Sequence, residues 1–563
     1  MTYKRLGDLL ISVGLITEEQ LKQALQIQKQ SRQRLGDILI GSGMISQKQL
    51  IEALEMQLGI EFVDLSKVTI PLELSHVISK NIARRYGVVP IALMKDELVL
   101  AMSDPLNFMA IEAVKTATRK RIVPRIATAE AIDHAISILY GNEGAARAIE
   151  EMERSTSDTV PTTSFVTSNL GEEDAQSAPT IRLVNSLIER AAMDRASDIH
   201  LEPREEELAV RMRIDGLLRE VLTVPKNLQS SVISRLKVLS SMDVAERKVP
   251  QDGRANVRIK GRDIDLRVST LPTIYGEKIV IRLLDKSSAL LDKKAIGLSE
   301  RDLLKYNRLL GNHSGVVLLA GPTGAGKSST MYTMIRELNT EKVNLVTLED
   351  PVEYNIDGVN QVQISEKTGM TFAGGLRAIM RQDPDIISVG EIRDGETAQI
   401  AMRAAITGHL VLSTIHTNDA FATIDRLIDI GVEPYLIATG LKGVISQRLV
   451  RRICPNCRKE YAPPPEELRA LGLPEGTKVR FYRGEGCPLC FGSGYRGRTA
   501  VFEILVVNAA LRRLISSGAA RDAQEAAAGA EDFTPMLENC RRLVLDGVTT
   551  VEEAERTIVS AED

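Results

Sequence analysis

Tryptophan is absent from the 563 residues and aromatic side chains make up only 4% of them. No run approaches the roughly 18 apolar residues that would span a bilayer. So few aromatics leave little to stack on bases. A net charge of -4 with a pI near 6.1 gives no global basic field of the kind that holds a phosphate backbone, so no nucleic acid is expected among the partners. The opening MTYKRLGDLLISVGLITEEQ has apolar runs broken by Asp8 and Glu18 and lacks the uninterrupted core of a secretory signal. The chain is expected to stay in the cytoplasm and to touch a membrane only through partners. Cysteine is scarce as well. Four of the five fall in two Cys-x-x-Cys pairs, a usage that in a reducing compartment favours metal ligation over disulfides.

What is present divides into several units, as a chain too long for one core should. Residues 5–28 and 34–57 repeat each other at an offset of 29, with Arg, Leu, Gly and Asp opening both copies and Leu-x-x-Ala-Leu-x-x-Gln closing them. Each copy reads as a helical hairpin, with Thr17 and Ser46 as N-caps of the second helix. Such a duplication can exist only to bury its own apolar faces, or it can carry a ligand. A small α+β unit is expected over 61–140, and a Ser-, Thr-, Glu- and Gly-rich flexible linker over 141–178. Alternation in LAVRMRIDG and RDIDLRVSTLP predicts a middle α+β domain over 179–290. From 291 to 563, the runs VVLLAG, VNLVTLED, DIISVGE and HLVLSTIH alternate with helical segments, which predicts an α/β domain on a buried parallel sheet.

The chemistry concentrates in that last unit. Gly321-x4-Gly326-Lys327-Ser328 follows an apolar strand and precedes a helix, the context that a P-loop requires. Gly321, Pro322, Thr323, Gly324, Ala325, Gly326, Lys327, Ser328 and Ser329 are the expected nucleotide contacts. Their backbone N–H groups would cradle phosphate, Lys327 would reach the β and γ phosphates, and Ser328 would ligate Mg2+ of bound ATP. DIISVGE ends an apolar strand in Glu391, placed to hold Mg2+ or its water shell. TLEDPVEY sets Glu349, Asp350 and Glu353 at the end of another strand, where a carboxylate can polarise an attacking water. His409 and His416 flank a third strand, as packing residues or as sensors of the γ-phosphate or of a neighbouring subunit. Cys454-Pro-Asn-Cys457 and Cys487-Pro-Leu-Cys490 offer four thiolates with no open position, the donor set of structural Zn2+. Cys540 is expected to be an ordinary buried thiol.

GPTGAGKSS, TLEDPVEY, GLRAIMRQDPDIISVGEIRD and AAITGHLVLSTIHTNDA, in this order, closely resemble the Walker A, Asp box, Walker B and His box of the secretion ATPase superfamily. GVISQRLVRRICPNC and GCPLCFGSGYRGRTAVFEIL are similar to its pilus-extension and type II secretion branch, the PilB and GspE group. The resemblance implies a RecA-like motor domain with a zinc-binding insertion at 454–490. It also implies a homo-hexameric ring ATPase that drives pilin or pseudopilin assembly through an inner-membrane platform protein. By motif it makes Glu353 the water-activating base and Glu391 the Mg2+-associated acid. It adds Arg267, Arg282, Arg377, Arg381, Arg393 and Arg498 as arginines of the catalytic set, each of which could equally be a surface salt-bridge partner.

The duplicated residues 1–60 resemble the MshEN-type module through which some of these ATPases bind cyclic-di-GMP. That resemblance implies contacts from Arg5, Leu6, Gly7, Leu10 and Gln28, then Arg34, Leu35, Gly36, Asp37, Leu39, Leu54 and Gln57, with Leu25 on the same surface and Asp104 as a further acidic contact. Near EDFTPMLENCRRLVLDGVTTVEEAERTI the chain departs from the family pattern. Type II secretion is the nearest competing reading. A receptor that binds cyclic-di-GMP and ATP without turnover, and a DNA translocase, are the readings from other classes.

Overall fold

In this computed structural model the described residues are 179–259, 261–285, 293, 295–529 and 532–562, and most of 60–140. Among the remaining segments only 7, 10, 11, 13–31, 35, 38, 39, 42, 44, 45, 145, 148, 149 and 151–153 are described. In the amino-terminal repeat, Thr17 caps the helix Glu18–Ser31: its hydroxyl accepts from Gln20 N at 3.2 Å while the Gln20 side chain accepts from Thr17 N at 2.8 Å, a reciprocal capping box. Equivalent positions of the two copies share one core. Leu10 and Leu39 are both fully buried, and Ile16 and Ile45 nearly so. Leu10 and Leu39, which the resemblance implies as ligand contacts, are therefore closed off from solvent. They pack the two copies together, while Leu25 is exposed. Gly7 is needed for the same packing, because a Cβ there would lie 2.7 Å from Leu21 Cδ1.

A three-stranded sheet follows, β1 (Val88–Leu93), β2 (Glu97–Met102) and β3 (Arg121–Ile126), with β1 and β2 antiparallel and β2 and β3 parallel across the helix Phe108–Thr118. Part of the stretch expected as a linker is folded. Ala145, Ala148 and Met152 are buried against Leu183 and Leu187 of the helix Pro179–Met193, because their small and flexible apolar side chains fall on one helical face.

The middle unit is a six-stranded antiparallel sheet of β4 (Ala196–Pro203), β5 (Glu207–Ile214), β6 (Leu217–Pro225), β7 (Gln251–Ile259), β8 (Arg262–Thr273) and β9 (Gly276–Asp285), in the order β6-β5-β4-β9-β8-β7. Strict alternation sends Ile264, Leu266 and Val268 into a core shared with the helices Pro179–Met193 and Gln229–Leu239. It leaves Arg254, Arg267 and Arg282 in register across three adjacent strands on the other face.

The last unit contains β10 (Gly315–Ala320), β11 (Leu345–Glu349), β12 (Asn360–Gln363), β13 (Ile386–Val389), β14 (Leu410–Ile415), β15 (Leu441–Ile453), β16 (Arg458–Tyr461), β17 (Phe481–Gly484), β18 (Tyr495–Val506) and β19 (Phe533–Thr534). The main sheet runs β12-β11-β13-β14-β10-β15-β18-β19. It is parallel as far as β15 and is extended by antiparallel β18 and β19. Its central strands are apolar and wholly buried because helices cover both faces. β16 and β17 form a separate hairpin within the cysteine insertion.

The unfamiliar tail is integral to this unit. Met536–Leu545 and Val551–Glu562 bury Met536, Cys540 and Val544 against Phe481 and Val501. Buried Glu503 accepts from both Ala420 N at 2.7 Å and Met536 N at 3.4 Å, so one carboxyl caps two helices. Cys540 is fully buried, and that burial pushes its thiol up to about 12. No described helix is long and apolar enough to cross a membrane.

Gly443 lets β15 pack beneath the helix Glu300–Leu310, since a Cβ there would lie 2.5 Å from both Leu309 Cδ2 and Leu505 O. Gly443→Ala is expected to lower stability by about 1–3 kcal/mol through overpacking, read as a lower thermal midpoint.

Candidate nucleotide site and cysteine cluster

The all-buried strand β10 delivers the chain into a loop that only glycine permits at three positions: Gly321, Gly324 and Gly326 have φ of 142°, 80° and 87°. A Cβ at Gly321 would also lie 2.5 Å from Gln447 O. Gln447 clamps the loop, donating from Nε2 to Ala325 O at 2.8 Å and accepting from Thr330 Oγ1 at 2.7 Å. The helix Lys327–Leu338 starts immediately afterwards, so its free N–H groups and partial positive charge face the loop mouth. Pro322, Thr323, Gly324 and Ser328 are exposed there, Ser329 is half-buried, and Ala325 is buried.

Lys327 Nζ donates to Gly321 O at 2.5 Å and to Pro322 O at 3.1 Å, and lies 3.4 Å from His416 Nδ1. Burial holds its pKa down, to about 8; Glu391 opposes the shift and Arg448 adds to it. His416 Nε2 lies 3.3 Å from Glu391 Oε2. Glu391 is also paired with Arg393, whose guanidinium is 3.8 Å from Asp350 Oδ2. A neutral imidazole protonated on Nε2 serves both neighbours, accepting from Lys327 and donating to Glu391. Lys327, His416, Glu391, Arg393 and Asp350 thus form one continuous polar line. Thr323, Glu391, Arg393, His416 and Arg426 border a cleft of about 490 Å³ beside it. Alternating cation, neutral donor and anion, next to exposed backbone N–H groups, suit the binding of a metal-chelated polyphosphate.

Glu353 stands apart from this line. Its Oε2 is 2.6 Å from Arg267 Nη2, which also donates to Val352 O at 3.2 Å. It borders a second cleft of about 400 Å³ with Arg254, Asp265 and Tyr354. Glu349 is buried and accepts from Thr347 Oγ1 at 2.6 Å, from Gln361 Nε2 at 3.0 Å and from the Tyr332 hydroxyl. These three donors take most of its accepting capacity, and its burial keeps it from the cleft. Tyr332 in turn accepts from Glu353 N at 3.1 Å and Tyr354 N at 3.3 Å, so the buried carboxylate positions the loop that carries Glu353.

His409 lies at the other end of the same strand from His416. It sits at the start of β14, opposite the phosphate end, with Nδ1 2.8 Å from Ala404 O, and ends the preceding helix. Arg377 pairs with exposed Glu396, and Arg381 donates to Arg377 O at 2.9 Å, both away from the cleft. Arg282 pairs with Asp198 at 3.2 Å. Arg498 is exposed on β18 opposite Arg451.

The residues of the amino-terminal ligand surface divide. Arg5, Leu6, Arg34, Gly36, Asp37, Leu54 and Gln57 lie outside the described residues. Gly7 is buried, Leu35 and Gln28 are half-buried, and Asp104 follows β2 in the neighbouring unit.

The profile described as Type II/IV secretion system protein matches residues 173–556, more than half of the chain. The chain belongs to this family. A second profile, the MshEN domain, matches residues 58–146, so its match begins where the duplicated segment ends. The type IV pilus assembly ATPase PilB of Myxococcus xanthus is 39% identical over 555 residues, covering 98% of each chain. PilB of Thermus thermophilus is 42% identical over 89% of this chain, which spans 56% of that relative. Type II secretion system protein E of Pseudomonas aeruginosa is 41% identical over 84% of this chain and 95% of its own. The ATPase DotB of Yersinia pseudotuberculosis shares the fold, with a TM-score of 0.53 at 22% identity over 71% of this chain and 97% of that one.

The four cysteines of the insertion come together with all Sγ atoms within 4.8 Å of one another. The separations Cys454–Cys487 and Cys457–Cys490 are 3.8 Å and Cys487–Cys490 is 3.6 Å. Four sulfurs held tetrahedrally at a Zn–S distance of about 2.3 Å would lie about 3.8 Å apart. The donor set and its spacing therefore fit a tetrahedral metal ion, and the separations are far beyond a disulfide bond.

Sequence reasoning missed Tyr332, Gln447 and Arg426. The first two act through contacts between distant segments and carry no motif signal. Arg426, on the helix Ala420–Asp429, lies one helix downstream of the His box and could have been found from that spacing. Tyr332→Phe removes the hydroxyl that serves Glu349 and the Glu353 loop at once. A cost of about 1–3 kcal/mol for the orphaned groups is expected in chemical denaturation.

Proposed function

We propose that this chain is a hexameric, Mg2+-dependent ATPase that powers type IV pilus assembly through an inner-membrane platform protein. One observation carries the reading: the line Lys327–His416–Glu391–Arg393 at the mouth of the P-loop. Family membership supports it, and the relative aligned over 98% of both chains is a pilus assembly ATPase. The type II secretion relatives support the alternative of pseudopilus assembly with the same chemistry.

In this reading the N–H groups of 324–328 take the phosphate oxygens, and Lys327 exchanges Gly321 O and Pro322 O for the β and γ phosphates. Ser328 and Glu391 would hold Mg2+, which supplies neutralisation of phosphate charge when bound. Water attacks the γ-phosphorus, its bond to the β,γ-bridging oxygen breaks, ADP leaves, and Glu353 takes the proton of the attacking water. Glu353 is free to do so once Arg267 has passed from it to the phosphate, so a shift of the middle unit accompanies turnover and depends on Arg267 being held beside the Glu353 loop. The four thiolates would hold a structural Zn2+. The duplicated hairpins would bind cyclic-di-GMP between them, and retained affinity would appear as heat on calorimetric titration of the dinucleotide.

Mg2+-dependent hydrolysis by the parent is expected to fall by about 10²–10⁴-fold in Glu353→Gln and to be abolished in Lys327→Ala, with assembly near six chains in light scattering. Absence of turnover in the parent under all metals and oligomeric states would move the receptor reading ahead. The charged form of Lys327 is the one that holds phosphate. Since its pKa is held near 8, ATP affinity should be full below that pH and weaken by up to about tenfold per unit above it.

A further inference from the structure

The middle unit touches the ATPase unit at a second place, far from Glu353. Arg219 of β6 donates from Nη1 to Phe491 O at 3.2 Å and to Cys490 O at 3.4 Å, and its guanidinium lies 5.3 Å from the Phe491 ring centroid. At the adjoining β5–β6 turn, Asp215 Oδ2 accepts from Gly497 N at 2.8 Å. Asp215 and Gly216 are both left-handed, with φ of 49° and 87°, which makes a tight turn that aims the carboxylate outward. Phe491 is itself left-handed, with φ of 52°, and its ring packs against the core of the middle unit. An L-residue in that region costs free energy, here offset by burial of the ring and the arginine contact.

The sheet order places β6 at one edge and Arg267 on β8 four strands away, about 19 Å at the usual interstrand spacing. The sheet therefore rests on the ATPase unit at two points, the cysteine knuckle and the Glu353 loop. A body held at two points has its tilt defined; released at one, it pivots about the other. The loop that forms the first seat is shaped by a ligating sulfur, since Cys490 Sγ accepts from Cys487 N at 3.1 Å and Gly494 N at 3.3 Å. Such bonds are stronger to a metal-bound thiolate than to a thiol.

We infer that Arg219, Asp215 and Phe491 are positioning residues: the tetracysteine knuckle is the seat of the middle unit and, through the sheet, sets Arg267 against Glu353. Only the link to turnover rests on the ATPase reading.

The test uses the full chain with Arg219→Ala, Arg219→Lys, and Arg258→Ala as a control on exposed β7. Bound zinc per chain is measured by mass spectrometry, amide exchange over 207–225, 263–270 and 487–498, and ATP turnover and affinity in parallel. Arg219→Ala should keep its zinc yet exchange about tenfold faster over 207–225, the size expected for losing one or two hydrogen bonds. Arg219→Lys should recover part of this, and Arg258→Ala should match the parent. Turnover at saturating ATP should fall with affinity unchanged, and Arg219→Ala should add nothing in an Arg267→Ala background, since both act through one contact. Parent-like exchange in zinc-loaded Arg219→Ala would overturn the seat, and an additive loss in the double variant would overturn its link to Arg267. An inactive parent would sink the ATPase reading alone, because the exchange comparison still decides the seat.

Discussion

The nucleotide cleft hangs on the parallel registers of β10 and β13 with β14. Ala320 lies opposite Ile415 and Val389 opposite Ser413, so the residues that follow each strand emerge at one edge of the sheet. Gly321 and His416 come out side by side, with Glu391 two residues beyond Val389. Because the side-chain period of a strand is two, a one-residue slip would turn these apolar strands inside out and scatter the polar line. The buried runs Gly315–Ala320 and Leu410–Ile415 exclude that slip, since helices cover both faces and every side chain has a packed place.

Around that edge, polar groups are used in two ways that their residue types alone do not distinguish. Glu391 borders a cleft and Asp350 is exposed, whereas Glu349 is taken up by Tyr332, Thr347 and Gln361. The difference is burial: a carboxylate deep in a sheet must be hydrogen-bonded from within the fold, and one so held is out of reach of the cleft. Arg267 and Glu353 illustrate a third use, in which a charged pair joins two units by a contact that a phosphate could replace.

The same economy appears in the cysteine insertion. The tail helices pack against Phe481 of its hairpin β16–β17, and the knuckle beside them meets the middle unit through Cys490 and Phe491, so a metal-binding motif and a divergent tail become parts of one scaffold. Glu503, capping helices before and after the insertion, fastens that scaffold to the helix that carries Arg426.

Much of this was legible in residue order. The P-loop, the apolar strands of a parallel sheet, the paired cysteines and the duplicated hairpin are local patterns, because strand period, glycine requirement and ligand chemistry act over a few neighbouring residues. What the folded chain alone decided are contacts between segments far apart. Leu10 and Leu39 went to a shared core because the two copies face each other, and His409 became a helix stop because its ring reaches back to Ala404 O. Glu353 met Arg267 because alternation on β8 turned that arginine toward the ATPase unit. Arg219 met Phe491 across some 270 residues because the cysteine knuckle folds back onto the sheet edge, a proximity that no periodicity in the sequence encodes.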